Sequence, residues 1–148
     1  MSEYTFLLLN VALAFYNVGT IWSHEIDIFR SWKLVGPGEF HRIQEVHWHK
    51  LPYWALTPFG LALLGSFALV AYHPPMAPAW GIWTNVVVQV LALVLTGLFW
   101  GRWQARLSHD SAGPRSQYLD VILRTHWVRT LLINVAALAL LLWAIALG

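Results

Sequence analysis

Four apolar stretches punctuate this chain, at approximately residues 4–22, 51–72, 81–101 and 129–147, separated by two charged segments and one proline-rich turn. Each is close to the ~20 residues that a helix needs to cross ~30 Å of hydrocarbon. Inside a bilayer the backbone must satisfy its own hydrogen bonds, so stretches of this kind form helices. Composition supports the reading, with 58% of residues hydrophobic and only 11% charged. A soluble domain carries about 25% charged residues, and so few charges could not cover the surface of a small one. A soluble enzyme or a nucleic-acid binder is thereby excluded. Disorder is excluded by the 15% aromatic content. The expectation is one all-α integral membrane domain over residues 1–148, a bundle of four transmembrane helices.

The connections decide orientation. The first and third, residues 23–50 and 102–128, hold or border all nine cationic side chains, whereas the turn HPPMAPAW at 73–80 has three prolines and no formal charge. The positive-inside rule puts the charged connections in the cytoplasm and both termini on the other side, as in a bacterial inner-membrane protein. Nine of the ten tryptophans, Trp22, Trp54, Trp80 and Trp143 among them, fall near span ends as an interfacial belt. The same bias accounts for the basic pI without nucleic acid. No Lys or Arg precedes the first apolar run, so it reads as a permanent span rather than a cleaved signal peptide. Breakers in the charged segments are confined to Gly36-Pro37-Gly38 and Gly113-Pro114, so these segments are expected to be helical extensions on the cytoplasmic side. Helix one should reach about Lys33, helix two should begin near Glu39, and Ser116 should cap the last helix. Pro52 and Pro58 should kink helix two.

Polar residues form stripes within these helices. Asn10, Asn17 and His24 recur every seven residues, with Thr20 and Asp27 close by. Asn85, Gln89 and Thr96 mark helix three, and His126, Thr130 and Asn134, beside Arg129, mark helix four. Helix two presents His41, Glu45 and His49, then Tyr53 and Thr57. Such stripes serve as interhelical hydrogen-bonding glue or as functional sites. Six of the seven histidines lie toward the cytoplasm, with only His73 at the outer turn. His47 and His49 fall on different faces of their helix, so only one can point inward. The candidate site is therefore His24, Asp27, His47, His126 and Arg129 at the cytoplasmic membrane boundary.

Several chemistries can be weighed against this spacing. With no cysteine, iron–sulfur clusters, zinc thiolates and c-type haem are excluded. A di-iron site needs Glu-x-x-His on two helices, and Glu45 has Trp48 at that spacing. His24, His47 and His126 are candidates for bis-histidine ligation of haem b. His41, Glu45 and His49 on one face could hold a metal, but three ligands along one straight helix span too far, so help from His24 or His126 would be required. Transport is disfavoured by the lack of an inverted repeat or a midplane charge. A cofactor-free route is also coherent: a neutral His deprotonates a phenolic or enolic molecule, and Arg129 holds the anion for attack on oxygen.

Three segments carry a family likeness. Phe40, His47 and Pro58 are spaced by seven and eleven residues on helix two. WQARLS at 103–108 closes helix three, and THWVRT at 125–130 opens helix four. In these places the chain resembles small four-helix bacterial membrane proteins related to the anthrone oxygenase-like family. The resemblance implies a membrane-embedded oxidative role, with His47, Trp127, Arg129 and Thr130 at the matching positions. His126 stands where many relatives have Asn, and His41 and His49 lie outside the pattern.

The leading expectation is an oxidoreductase-like enzyme acting on a hydrophobic aromatic or quinone-like molecule. Arg129 would hold the anion, His47 or His126 would act as base, and His24 with Asp27 would orient it. Two alternatives stay open: a haem- or metal-binding electron-transfer subunit, and a structural subunit of a homo-oligomer or membrane complex.

Overall fold

The computed structural model describes residues 1–76 and 78–147; Ala77, in the proline-rich turn, and Gly148 lie outside them. No strand occurs among the described residues. Four helices are long and apolar enough to cross a membrane: α1 (Glu3–Leu34), α2 (Pro37–Ala71), α3 (Ala79–Leu107) and α4 (Gln117–Leu147). Their ends follow local chemistry. Ser2 caps α1 by accepting the Thr5 N–H at 3.1 Å. Gly36 and Pro37 end one helix and start the next, with Pro37 in the first turn where its missing N–H costs nothing. Ser116 caps α4, accepting the Tyr118 N–H at 3.1 Å and donating to Asp110 Oδ2 at 2.6 Å. Gly113 sits at φ +56°, a conformation that side chains disfavour, and so turns the chain toward that cap.

Each helix packs against two neighbours in an antiparallel ring, α1 with α2 and α4, and α3 with the same two. At the proline end the core is Leu7, Leu69, Ile82, Leu140 and Trp143. A Cβ on Gly81 would lie 2.8 Å from Trp143, so glycine is what lets α3 approach the indole. The helical extensions have a core of their own at the charged end: Phe29, Trp32, Phe40, Leu107, Leu119 and Ile122. They are therefore packed structure and not loose connections. The surface is apolar where helices face outward, as at Leu64, Val87, Leu142 and Ile145, while Asn10, Asn17, Asn85 and Gln89 are buried. Gln89 donates to Ser66 and Asn85, and Asn85 donates to the Ala136 carbonyl at 2.9 Å. This polar-in, apolar-out arrangement suits a lipid surround.

Three helices contain π-helical turns near the charged end: His24–Ile28 in α1, Pro52–Leu56 in α2 and Thr96–Trp100 in α3. The expected disturbance at Pro52 and Pro58 takes this form. Pro58 has no N–H to return to the Trp54 carbonyl, and the Tyr16 hydroxyl donates there at 3.1 Å instead. The Pro58 carbonyl accepts Asn17 Nδ2 at 3.3 Å, tying α1 to α2.

Candidate functional site

The π-turn in α1 builds the site. Inward positions along that helix run Asn17, Ile21, His24; one extra residue in the turn then shifts the inward line to Glu25, Phe29 and Trp32. Asp27 is consequently exposed, and the expectation that it orients a histidine is corrected: Glu25 takes that part. Glu25 Oε2 accepts His126 Nδ1–H at 2.9 Å, and Oε1 lies 3.3 Å from Arg30 Nη2. The Arg30 Nε–H also donates to the Glu25 carbonyl at 3.0 Å.

His24, His47 and His126 do come together, one from each of α1, α2 and α4. The His24 ring centroid is 5.6 Å from that of His47 and 6.3 Å from that of His126. Trp54 stacks flat on His24 at 4.8 Å. Phe29 and Trp100 pack on His126, and Trp32 meets His47 edge-on at 4.9 Å. The bonds fix ring roles. His24 Nδ1–H donates to the Thr20 carbonyl at 2.9 Å, leaving Nε2 as its free acceptor. His126 is 0% exposed, and its Nε2 is sealed without a partner, as is Nε2 of His47.

Beside this cluster lies a cavity of about 100 Å³. Its polar wall is Asn17, Thr20, His24, Trp48, Thr96, Gln104 and Arg129, and its apolar wall includes Ile21, Leu51, Phe59 and Ile133. Arg129 makes no ion pair among the described residues, although Glu25 lies close enough to bond His126 one turn away. An unpaired guanidinium beside an apolar wall is a receptor for an anion. His24 lines this cavity, whereas His47 and His126 do not. The two histidines expected to act as base are thus off the cavity wall, and His24 is the one on it. Of the positions matched by family likeness, Arg129 lines the cavity, Trp127 faces outward, and Thr130 is buried against its own helix.

Trp48 also belongs to a second, open hollow of about 580 Å³ at the charged end, between α2 and the end of α3. His41, Glu45, His49 and His109 border it, with Gln44 in its wall. The expected inward stripe on α2 therefore faces out. His41, Glu45, His49 and Tyr53 are exposed, and the inward face is Phe40, Gln44, Leu51 and Ala55 with His47 between.

The proposed metal and haem ligands do not fit this geometry. His24 is inside while Glu45 and His49 are outside, so that triad cannot close on one ion. No three His, Asp or Glu side chains converge as a metal site among the described residues. Haem needs a slot between its two histidines, and aromatic rings fill the space around His24; the adjoining cavity is far below the ~300 Å³ where cofactor pockets begin. No protein-family model, curated protein or solved structure matches the chain.

Proposed function

We propose that this is a multi-pass protein of the bacterial inner membrane, and that its His24–Arg129 cavity takes a hydrophobic aromatic or quinone-like molecule for oxidoreductase chemistry. The observation that carries the reading is Arg129: a cation without an ion-pair partner among the described residues, lining a cavity that holds no carboxylate and combines aliphatic and aromatic side chains with Asn17, Thr20, Thr96 and Gln104. A phenolic hydroxyl placed there meets His24 Nε2 as proton acceptor, and the oxyanion it becomes meets the guanidinium. The electron-rich anion is the form that an oxidant such as dioxygen attacks. His126, held by Glu25, supports His24 from behind without touching the molecule. A benzene-sized guest needs roughly 150 Å³, so entry displaces part of the cavity's wall. Both charged connections belong in the cytoplasm by the positive-inside rule, which sets the cavity at the cytoplasmic boundary.

The test uses 2-naphthol, whose ionised form has its own absorption band, with the full chain in lipid nanodiscs at neutral pH. The expected result is saturable binding with the naphtholate band appearing, both lost in Arg129→Gln, and the band alone lost in His24→Phe. Binding that ignores Arg129, or no binding, would overturn the reading.

A further inference from the structure

The open hollow that Trp48 also lines has properties that the Arg129 cavity does not share. Its volume, about 580 Å³, lies within the range of small-molecule sites. Gln44 in its wall is 1% exposed, yet neither its amide nitrogen nor its amide oxygen has a partner. Four other buried amides each donate at least one bond, Asn10 to the Phe6 carbonyl, Asn17 to Pro58, Asn85 to Ala136 and Gln89 to Ser66, whereas Gln44 makes none from either end. An amide holding no bond where it lies loses none by turning into the hollow. There it would offer one donor and one acceptor side by side. The groups that match such an edge in pairs are lactams, carboxamides and their heteroaromatic equivalents. Trp48 supplies an aromatic face in the same wall, suited to stacking a flat ring. The border is imidazole from His41, His49 and His109, with a single carboxylate, Glu45, which disfavours a strongly anionic guest. His49 Nδ1–H is committed to the Glu45 carbonyl at 2.9 Å, so its Nε2 remains an acceptor toward solvent or ligand.

We infer that this hollow is a second binding site, taking a planar heteroaromatic ring whose lactam or carboxamide edge pairs with Gln44 while its face lies on Trp48. The site stands independently of Arg129. Trp48 is the one lining residue that the hollow shares with the Arg129 cavity among the described residues.

Lumiflavin, an uncharged ring with a lactam edge, is the probe, and 3-methyllumiflavin, with that edge blocked, is its control. Equilibrium dialysis against the full chain in nanodiscs should give one saturable lumiflavin site per chain, with the methylated ring bound about ten-fold more weakly or worse. Gln44→Leu removes an unpartnered amide from the interior and should fold at least as stably. It should lose lumiflavin about ten-fold while keeping 2-naphthol. Should that variant fail to fold, Ala105→Trp fills the hollow from an exposed position and should abolish binding. Equal binding of the two flavins, unchanged binding in folded Gln44→Leu or in Ala105→Trp, or no saturable site would overturn the inference. Loss of lumiflavin binding in Arg129→Gln would likewise refute two independent sites.

Discussion

Glu25 carries a carboxylate into a layer of aromatic rings, and it is kept there by bonds on both sides. His126 donates to one oxygen, and the mostly exposed Arg30 reaches the other from water. Glu25→Ala leaves a fully buried imidazole N–H unpaired, which should cost about 2 kcal/mol in thermal unfolding in detergent. Asp27→Ala, at an exposed position, should stay within about 0.5 kcal/mol. Equal effects of the two substitutions would contradict the shifted register. His24 and His126 were legible beforehand as members of polar stripes spaced by seven and by four residues, and Arg129 as the cation beside the second; in the fold these three are buried or line the cavity. Glu25 was not, because helical periodicity counts 3.6 residues per turn and the π-turn inserts one more. The unpaired state of Arg129 was equally invisible, since it depends on where a carboxylate on the neighbouring helix α1 is pinned.

At the scale of the element, α4 runs unbroken while its three partners each carry a π-turn. The spans and their ends were readable from apolar length, from Gly36-Pro37 and from Ser116. The inward face of α2 was not, because its charged and histidine-rich stripe has the same four-residue period as a buried one. The Phe40–Gln44–His47–Leu51 line shows which side packs. The cap of α4 gives two expectations. Ser116→Ala should cost about 1 kcal/mol. The Asp110 carboxyl is held below its ordinary value by hydrogen bonds from the Ser116 hydroxyl and the Ala112 N–H. A carboxylate depressed on folding contributes in full above its unfolded pKa near 3.9, and that contribution fades as pH falls through the folded value. The protection of the Ala112 amide, its exchange rate corrected for the intrinsic pH dependence, should therefore fall only below about pH 4, and Asp110→Asn should remove the step.

For the molecule as a whole, tight packing at the proline end sets the geometry from which the site projects. Gly81→Ala puts a methyl group against Trp143 and should cost about 1–3 kcal/mol by overpacking. Orientation can be read by labelling, since the chain has no native cysteine. On intact cells, a membrane-impermeant maleimide should modify Met76→Cys at the proline turn, and His109→Cys only after permeabilisation. The reverse pattern would invert the proposed topology.

The helices outreach the hydrocarbon they are apolar enough to cross. α1 has 32 residues and at 1.5 Å each is about 48 Å long, against ~30 Å of bilayer core. The surplus lies at the charged end, where the second core and the histidine cluster are built. In the proposed inner-membrane setting His24 and Arg129 would lie near headgroup depth, where a few ångströms of bilayer thickness decide between water and acyl chains. A thicker membrane would draw the mouth of the cavity down among lipid tails, and a thinner one would bathe it. Under the proposed insertion, lipid chain length would be a control on what reaches Arg129, acting without any change in the protein.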